Sequence, residues 1–440
     1  MHSNVRRAVG FAFIGLLALA GPALGTAAAA PFALIALVAI VVSDGPLFDL
    51  FARPGDYQAG RLRGLFGFAL SAAVLAVIAG YGSLPMSVFA STVLIVVLGN
   101  VGAELVRART SHAPILGDLA GGLLGGVLGQ SVVAVTAGLP FVYAEVLALV
   151  LTGALLGALI RSMLFLQDEP PVMFSVAFLL WLLVAIEIDA SIVSVAVAVG
   201  VAGGVGLLAF LLDAASIEGM VAGILLGVIT IVLGGYGWFA LLLAFFAIGG
   251  ASSKFRYERK RDRGVAEANG GARGGENVLA NSGAAMGGLV LFSLVDAGLL
   301  SGDPLLYAFL FAGSLATALS DTLASEIGGP YGQTRLITTL EPVPPGTDGG
   351  VTWQGLLAGV AGASIIAGLM IRLFASVALP GGVIVALAGV LGMTVDSLLG
   401  ATLEGRILGN GSVNFTATLT GGITAALGAA LAGLATLPPI

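Results

Sequence analysis

KFRYERKRDRGVAEANGGARGGENVLANSG, Lys254 to Gly283, interrupts a chain that is otherwise a near-continuous succession of apolar runs. Seven of its first twenty residues are Lys or Arg. The chain of 440 residues is 58% hydrophobic and only 10% charged, with a mean hydropathy of +1.07. No soluble globular domain has that composition. Apolar runs of roughly 17 to 25 residues read as membrane spans. The fold class is therefore an all-α polytopic transmembrane protein with about fifteen membrane helices, about ten before the basic loop and five after it. The earlier spans are expected to begin near Val9, Pro31, Leu62, Pro85, Ile115, Pro140, Pro171, Ala190, Gly219 and Tyr236. The later ones begin near Asn277, Pro304, Thr352, Leu379 and Val413.

Lipid provides no hydrophobic drive for helix association, so the 67 glycines are read first as packing residues that let helices approach closely. Arg6-Arg7 followed by an apolar run and Ala27 to Ala30 has the outline of a secretory signal, but a second apolar run follows at once and a first membrane helix is the simpler reading. Cytosolic loops retain Lys and Arg. A cytosolic N-terminus places Arg6, Arg7, Arg53, Arg61, Arg63, Arg107, Arg109, Arg161, the 254–273 cluster, Arg335 and Arg406 inside, and leaves only Arg372 outside. A multi-pass protein of the cell membrane follows, with Asp321, Arg335, Asp396 and Glu404 on its cytosolic side and Glu187, Asp189, Asp296 and Asp303 near the outer face. No nucleic-acid partner is expected.

The chain has no cysteine, which excludes disulfides, thiolate nucleophiles and Cys-based zinc sites. His2 and His112 are too few for a histidine metal cluster. Any metal must be held by carboxylates, which favours a hard cation such as Mg²⁺. There is no GxxxxGK[ST] motif, no kinase Gly-rich loop with its lysine, no HExxH and no Ser-His-Asp arrangement.

Four constellations carry polar chemistry. In 254–283, cationic side chains precede Gly270-Gly271, Gly274-Gly275 and a helix start at Glu276 or Asn277. Such an array suits either a polyphosphate cradle or an anchor on anionic lipid head groups. Asn277 and Asn281 fall on one face of the helix that follows. Asp321 and Glu326 stand near the end of an otherwise apolar span, where carboxylates are functional candidates. Their spacing sets them about 140° apart on an ideal helix, so a shared ligand requires a break near Gly328-Gly329-Pro330.

The third constellation is the loop holding Arg335, Thr338-Thr339, Glu341-Pro-Val-Pro-Pro345 and Gly346-Thr347-Asp348-Gly349-Gly350. Its turn offers N–H groups and a hydroxyl to an anion, and Arg335 adds a fixed charge suited to phosphate. An ordinary hydrophilic connector is the competing reading. The fourth is GMTVDSLLGATLEGR, Gly392 to Arg406, where Asp396 interrupts an apolar span, followed by Asn414 at the start of the last helix. Asp321 and Asp396 together offer a carboxylate pair to a divalent cation bridging phosphate oxygens.

Five blocks in order, KFRYERKRDRGVAEANGGARGGENVLAN, SDTLASEIG, TRLITTLEPVPPGTDGGV, DSLLGA and VNF, resemble the integral-membrane family that includes plant phytyl-phosphate kinase. They cover 254–415, roughly the C-terminal half. The resemblance implies a CTP-dependent kinase that converts an isoprenyl monophosphate, phytyl or geranylgeranyl phosphate, to its diphosphate. It implies Mg²⁺ on Asp321 and Asp396 with Glu326 assisting. Phosphates would be held by Arg256, Arg259, Arg263, Arg273, Arg335 and Gly346, Thr347, Asp348, Gly349 and Gly350. Asn277, Asn281 and Asn414 would position nucleotide or acceptor.

The division expected is 1–250 as an N-terminal transmembrane region and 251–440 as a catalytic-like domain opening on the basic loop. In the first region GNVGAELVRAR, Gly99 to Arg109, followed by GDLAGGLLGGVLGQ, echoes SDTLASEIGG followed by WQGLLAGVAGA. A degenerate relative of the dolichol and phytol kinases would explain the echo; a scaffolding module is the alternative. A transporter is the competing function, but it calls for polar groups at the bilayer midplane. Here polar groups gather at one face, which favours the enzyme.

Overall fold

In the computed structural model, described for residues 2–110, 113–163, 169–187, 191–264, 272–331 and 333–438, the chain is helical almost throughout. His112, Asp189 and Gly270-Gly271 lie outside the described residues. The chain packs as two units, Met1–Val197 and Ala198–Ile440. The first contains α1 (His2–Gly15), α2 (Gly21–Leu24), α3 (Ala29–Val41), α4 (Gly45–Phe51), α5 (Pro54–Ala59) and α6 (Arg63–Gly80). It continues with α7 (Met86–Arg109), α8 (Pro114–Ala137), α9 (Tyr143–Met163) and α10 (Glu169–Ala185). The division falls within α11 (Ile192–Leu211). The second unit holds α12 (Ile217–Gly234), α13 (Tyr236–Ser253), α14 (Tyr257–Asp262), α15 (Gly275–Asp296), α16 (Pro304–Gly328), α17 (Trp353–Leu373), α18 (Leu379–Thr402) and α19 (Asn410–Leu431).

The expected number of about fifteen spans is corrected. Among the described residues twelve helical segments are long and apolar enough to cross a membrane. The runs expected from Val9 and Pro31 form one segment, Ser3–Val41, of 39 residues, jointed by 3₁₀ turns at Leu16–Ala20 and Gly25–Ala28. The helix expected from Pro171 is the shorter α10, and that expected from Val413 is α19, neither of which is among the twelve. One pair of two-residue strands departs from the all-helical expectation: β1 (Arg335–Leu336) lies antiparallel to β2 (Gly350–Val351).

In the first unit α7 and α8 cross through facing glycines. A Cβ on Gly129 would sit 2.6 Å from the Ser91 Cα, and one on Gly125 2.5 Å from the Leu94 carbonyl carbon. Carbon atoms in contact normally stand about 3.5–4.0 Å apart, so only glycine fits. Of Arg53 and Arg161, read from the sequence as loop charges, the first is buried and the second is only partly exposed. Glu169 pairs with Arg53 and with Arg161 at 3.2 Å each, and Arg161 Nε lies 2.8 Å from Asp118 Oδ2. Arg161 also donates through Nη2 to the Val96 carbonyl at 2.9 Å.

The second unit is organised around α16, which touches α13, α15, α17, α18 and α19. Its small residues admit the neighbours: a Cβ on Gly389 of α18 would lie 2.8 Å from the Ala316 Cβ and 2.9 Å from that of Ala363. Gly392 abuts the side chain of Thr317, and Gly313 lies against Gly422 and Ala425 of α19. Forcing bulk into such a contact costs about 1–3 kcal/mol. Gly392→Leu is therefore expected to lower the thermal unfolding midpoint of the detergent-purified protein. Gly287→Leu, at an exposed position with nothing within 4 Å, should leave it unchanged or raise it. Equal losses in the two variants would contradict this packing.

Candidate functional site

α16 and α18 run parallel, joined by the returning α17. Ala316 faces Gly389, Thr317 faces Gly392, and Ser320 Oγ donates to Met393 Sδ at 3.2 Å. One turn beyond Thr317 and Gly392 the two helices present Asp321 and Asp396, whose side chains meet at hydrogen-bonding range. Both residues are half-buried. The Glu404 carboxylate, just past the end of α18, contributes further negative potential to the pair. Sequence spacing did not single Glu404 out, because it acts from a turn rather than from a shared helical face.

The positive charge of Arg273 acts on Asp321. The arginine, assigned to phosphate from the sequence, is only 6% exposed. Its backbone N–H donates to the Ala214 carbonyl, and its own carbonyl accepts from Ser216 N–H, both at 3.0 Å. Gly249 makes room for the guanidinium, which lies over the Phe245 ring at 5.4 Å and donates through Nη2 to Thr322 Oγ1 at 3.4 Å. Thr322 follows Asp321 directly on α16, so the cation is held beside the carboxylate pair.

The Gly346–Gly350 turn is seated on α18 immediately after Asp396. Gly349 has φ +73°, and a Cβ there would lie 2.6 Å from the Ser397 carbonyl oxygen and from Ala401 N. Glycine is required both by the left-handed backbone and by the close approach. Thr347 Oγ1 donates to the Pro344 carbonyl at 2.7 Å, and Gly350 N–H donates to the Thr347 carbonyl at 2.8 Å. The hydroxyl offered to an anion in the sequence reading is thus engaged within the turn. Arg335 is exposed and donates to the Leu340 carbonyl at 2.6 Å, while Asp348 is exposed at the tip.

The basic loop divides into different roles. Lys260 is 1% exposed, donates to the Ser253 carbonyl at 2.6 Å and forms an ion pair with Glu326. Glu326, expected to assist a metal, is thus engaged by Lys260. That partnership was invisible in sequence, since 66 residues separate the two. Arg256 and Arg259 both lie over the Tyr331 ring, at 5.4 and 6.0 Å. Arg263 has its Nη1 enclosed, with no hydrogen-bond partner among the described residues.

The asparagines stand at the same end of the second unit. Asn281 is buried and donates to the Asn277 carbonyl at 2.9 Å. Asn414 is buried on α19, where Gly411 approaches Glu276 and Ala280 at the start of α15. The structure therefore gathers Asp321, Asp396, Arg273 and the Gly346–Gly350 turn. It sets the asparagines on adjoining helix starts and leaves Arg335 on its own loop carbonyl.

Two carboxylates at one point form a donor set for a hard divalent cation. Among the described residues no group of three or more His, Asp or Glu side chains is placed to ligate a metal. Magnesium characteristically uses one or two carboxylates and completes its shell with water and phosphate oxygens, so the pair has the right chemistry.

A family model described as Integral membrane protein DUF92 matches residues 200–422. The chain belongs to this family. An uncharacterized membrane protein of Synechocystis is 37% identical over 216 residues, covering 47% of this chain and 77% of the relative. One from Methanocaldococcus jannaschii is 36% identical over 224 residues, covering 48% and 84%. The Arabidopsis thaliana protein VTE6, chloroplastic, is 34% identical over 218 residues, covering 48% and 64%. No solved structure matches the chain. DUF92 membership accounts for the resemblance read over 254–415, and the matched region also takes in the second half of α11 with α12 and α13.

Removing one member of a buried ion pair typically costs about 3–5 kcal/mol, whereas replacing both by apolar residues is often neutral. Lys260→Met and Glu326→Gln are each expected to lower thermal stability markedly. Lys260→Met combined with Glu326→Leu should recover most of the loss. A double variant as unstable as the sum of the singles would show that the two residues act separately.

Proposed function

We propose that this DUF92 protein is a CTP-dependent isoprenyl-phosphate kinase, which converts membrane-held phytyl or geranylgeranyl phosphate to the diphosphate at the cytosolic face. The observation that carries the reading is the meeting of Asp321 and Asp396 beside Arg273, with the Gly346–Gly350 turn seated against the same end of α18. Family membership and the sequence resemblance supply the reaction class.

In the proposed reaction an oxygen of the acceptor monophosphate attacks the γ-phosphorus of CTP. A new P–O bond forms, the bond to the β-phosphate oxygen breaks, and CDP leaves. A phosphate monoester is already largely ionised at pH 7, so a site without histidine needs no strong general base. Asp321 and Asp396 would hold Mg²⁺, which supplies charge neutralisation on phosphate oxygens. Arg273, fixed by its backbone bonds and by Phe245, would orient a phosphate next to that pair. Arg256, Arg259 and Arg263 place further positive charge on the basic loop for the nucleotide. Asn277, Asn281 and Asn414 are suited to direct polar groups of nucleotide or acceptor at the starts of α15 and α19. Positioning and electrostatic stabilisation would then carry the rate.

Purified protein in nanodiscs, given Mg²⁺, γ-labelled CTP and geranylgeranyl phosphate, should produce labelled geranylgeranyl diphosphate. Asp321→Asn and Asp396→Asn should each reduce transfer by at least about a hundred-fold while leaving the thermal midpoint close to the parent value. Absence of transfer across a panel of nucleotides and isoprenyl phosphates would overturn the kinase reading. Full activity in both variants would overturn the metal assignment alone.

A further inference from the structure

The second unit contains an apolar cavity that the carboxylate site does not account for. It lies among α11, α12, α13 and the start of α15 and encloses about 620 Å³ of empty space, counting its open mouth. The wall is apolar, with Ala209, Gly219, Gly223, Phe239 and Phe246 among its residues, and its charged member is Arg273.

We infer that this cavity receives the isoprenyl chain of the phosphorylated acceptor, with Arg273 at the junction between chain and phosphate. The inference rests on the kinase reading for the identity of the acceptor. It goes beyond that reading in locating the chain and in naming what limits its length.

Three observations carry it. First, Arg273 belongs to both places: it lines the cavity, yet it is the cation that acts on Asp321. A ligand spanning them needs an apolar body and an anionic end. Second, the arginine's orientation is built in. Its backbone is tied to Ala214 and Ser216, the bends that close α11 and open α12, so cavity wall and cation are fixed together. Gly219 is indispensable to that join, because a Cβ there would overlap the Arg273 carbonyl.

Third, the wall is open at one position of α12 where the next turn is tight. Gly227 is close-packed, with its Cβ position 2.9 Å from the Ala202 Cβ and 3.1 Å from Phe239 Cε2. Gly223 lines the cavity with nothing within 4 Å of a Cβ. A side chain at that position would occupy the empty space. The acceptor brings a single branched chain to this wall, whereas a diacyl lipid brings two. Phosphatidic acid, which shares the phosphate chemistry, is therefore the appropriate competitor for distinguishing the sources.

The test pairs catalysis with binding. In nanodiscs, the ratio of kcat/KM for geranylgeranyl phosphate over geranyl phosphate is compared among the parent, Gly223→Leu and Gly200→Leu. Gly200 is exposed on α11, away from the cavity wall, and also has nothing within 4 Å. The ratio should fall at least about ten-fold in Gly223→Leu, in keeping with the discrimination an apolar pocket achieves, and stay at the parent value in Gly200→Leu. In the second arm a geranylgeranyl phosphate analogue with a diazirine at its hydrocarbon end is photolysed on the protein without nucleotide. Adducts should map to cavity-lining residues between 202 and 246, be displaced by geranylgeranyl phosphate and persist with equimolar phosphatidic acid.

Adducts in the cavity without any transfer by the parent would sink the kinase reading and leave the chain site standing. Transfer accompanied by adducts elsewhere, or by an unchanged ratio in Gly223→Leu, would overturn the chain site. Equal displacement by phosphatidic acid would overturn the single-chain occupant.

Discussion

The close approach of α16 and α18 is the constraint on which the candidate site depends. Gly389 and Gly392 allow the α18 backbone to reach Ala316 and Thr317, and a side chain at either glycine would hold the helices apart. Because the two helices run parallel, whatever stands one turn beyond that crossing on each is brought together. Those residues are Asp321 and Asp396. Two acidic groups are thereby gathered by contacts that carry no charge, and the small-residue stripe that substitutes for hydrophobic drive in lipid also sets the chemistry.

Charges in the protein are handled in two physically different ways. Lys260 with Glu326, and Arg161 with Glu169 and Asp118, are opposite charges brought into contact and largely removed from solvent. Such pairs are costly to break and tie distant segments together. Asp321 and Asp396 are instead two acidic groups in contact, half-buried, with Glu404 adding to the negative potential and Arg273 opposing it. Like charges at contact are unfavourable unless a proton or a cation intervenes. That contrast separates a structural ion pair from a candidate ligand site.

The basic loop is not one functional unit. Lys260 turns inward as a partner for Glu326, Arg256 and Arg259 stack on Tyr331, and Arg273 becomes part of both the carboxylate site and an apolar cavity wall. The cluster's composition alone suggested either a phosphate cradle or a head-group anchor. Individual positions along it carry quite different environments.

Composition and hydropathy by themselves determined that the chain is a helical, multi-pass membrane protein, since apolar runs of this length have few other solutions. Ordered motifs over 254–415 were enough to reveal the DUF92 relationship, Asp321 and Asp396 were legible as carboxylates in otherwise apolar spans, and Arg273 was legible only as one base of the loop. Span number was less legible, because the 3₁₀ joints that make Ser3–Val41 one segment and the shortness of α10 depend on backbone geometry. Only the tertiary structure paired Lys260 with Glu326, brought Glu404 towards the aspartates and opened a cavity behind Arg273. These are contacts between residues far apart in the chain, and helical periodicity carries no information about which helix lies beside which. That choice was made by the glycine crossings, which depend on the facing helix as much as on the glycine itself.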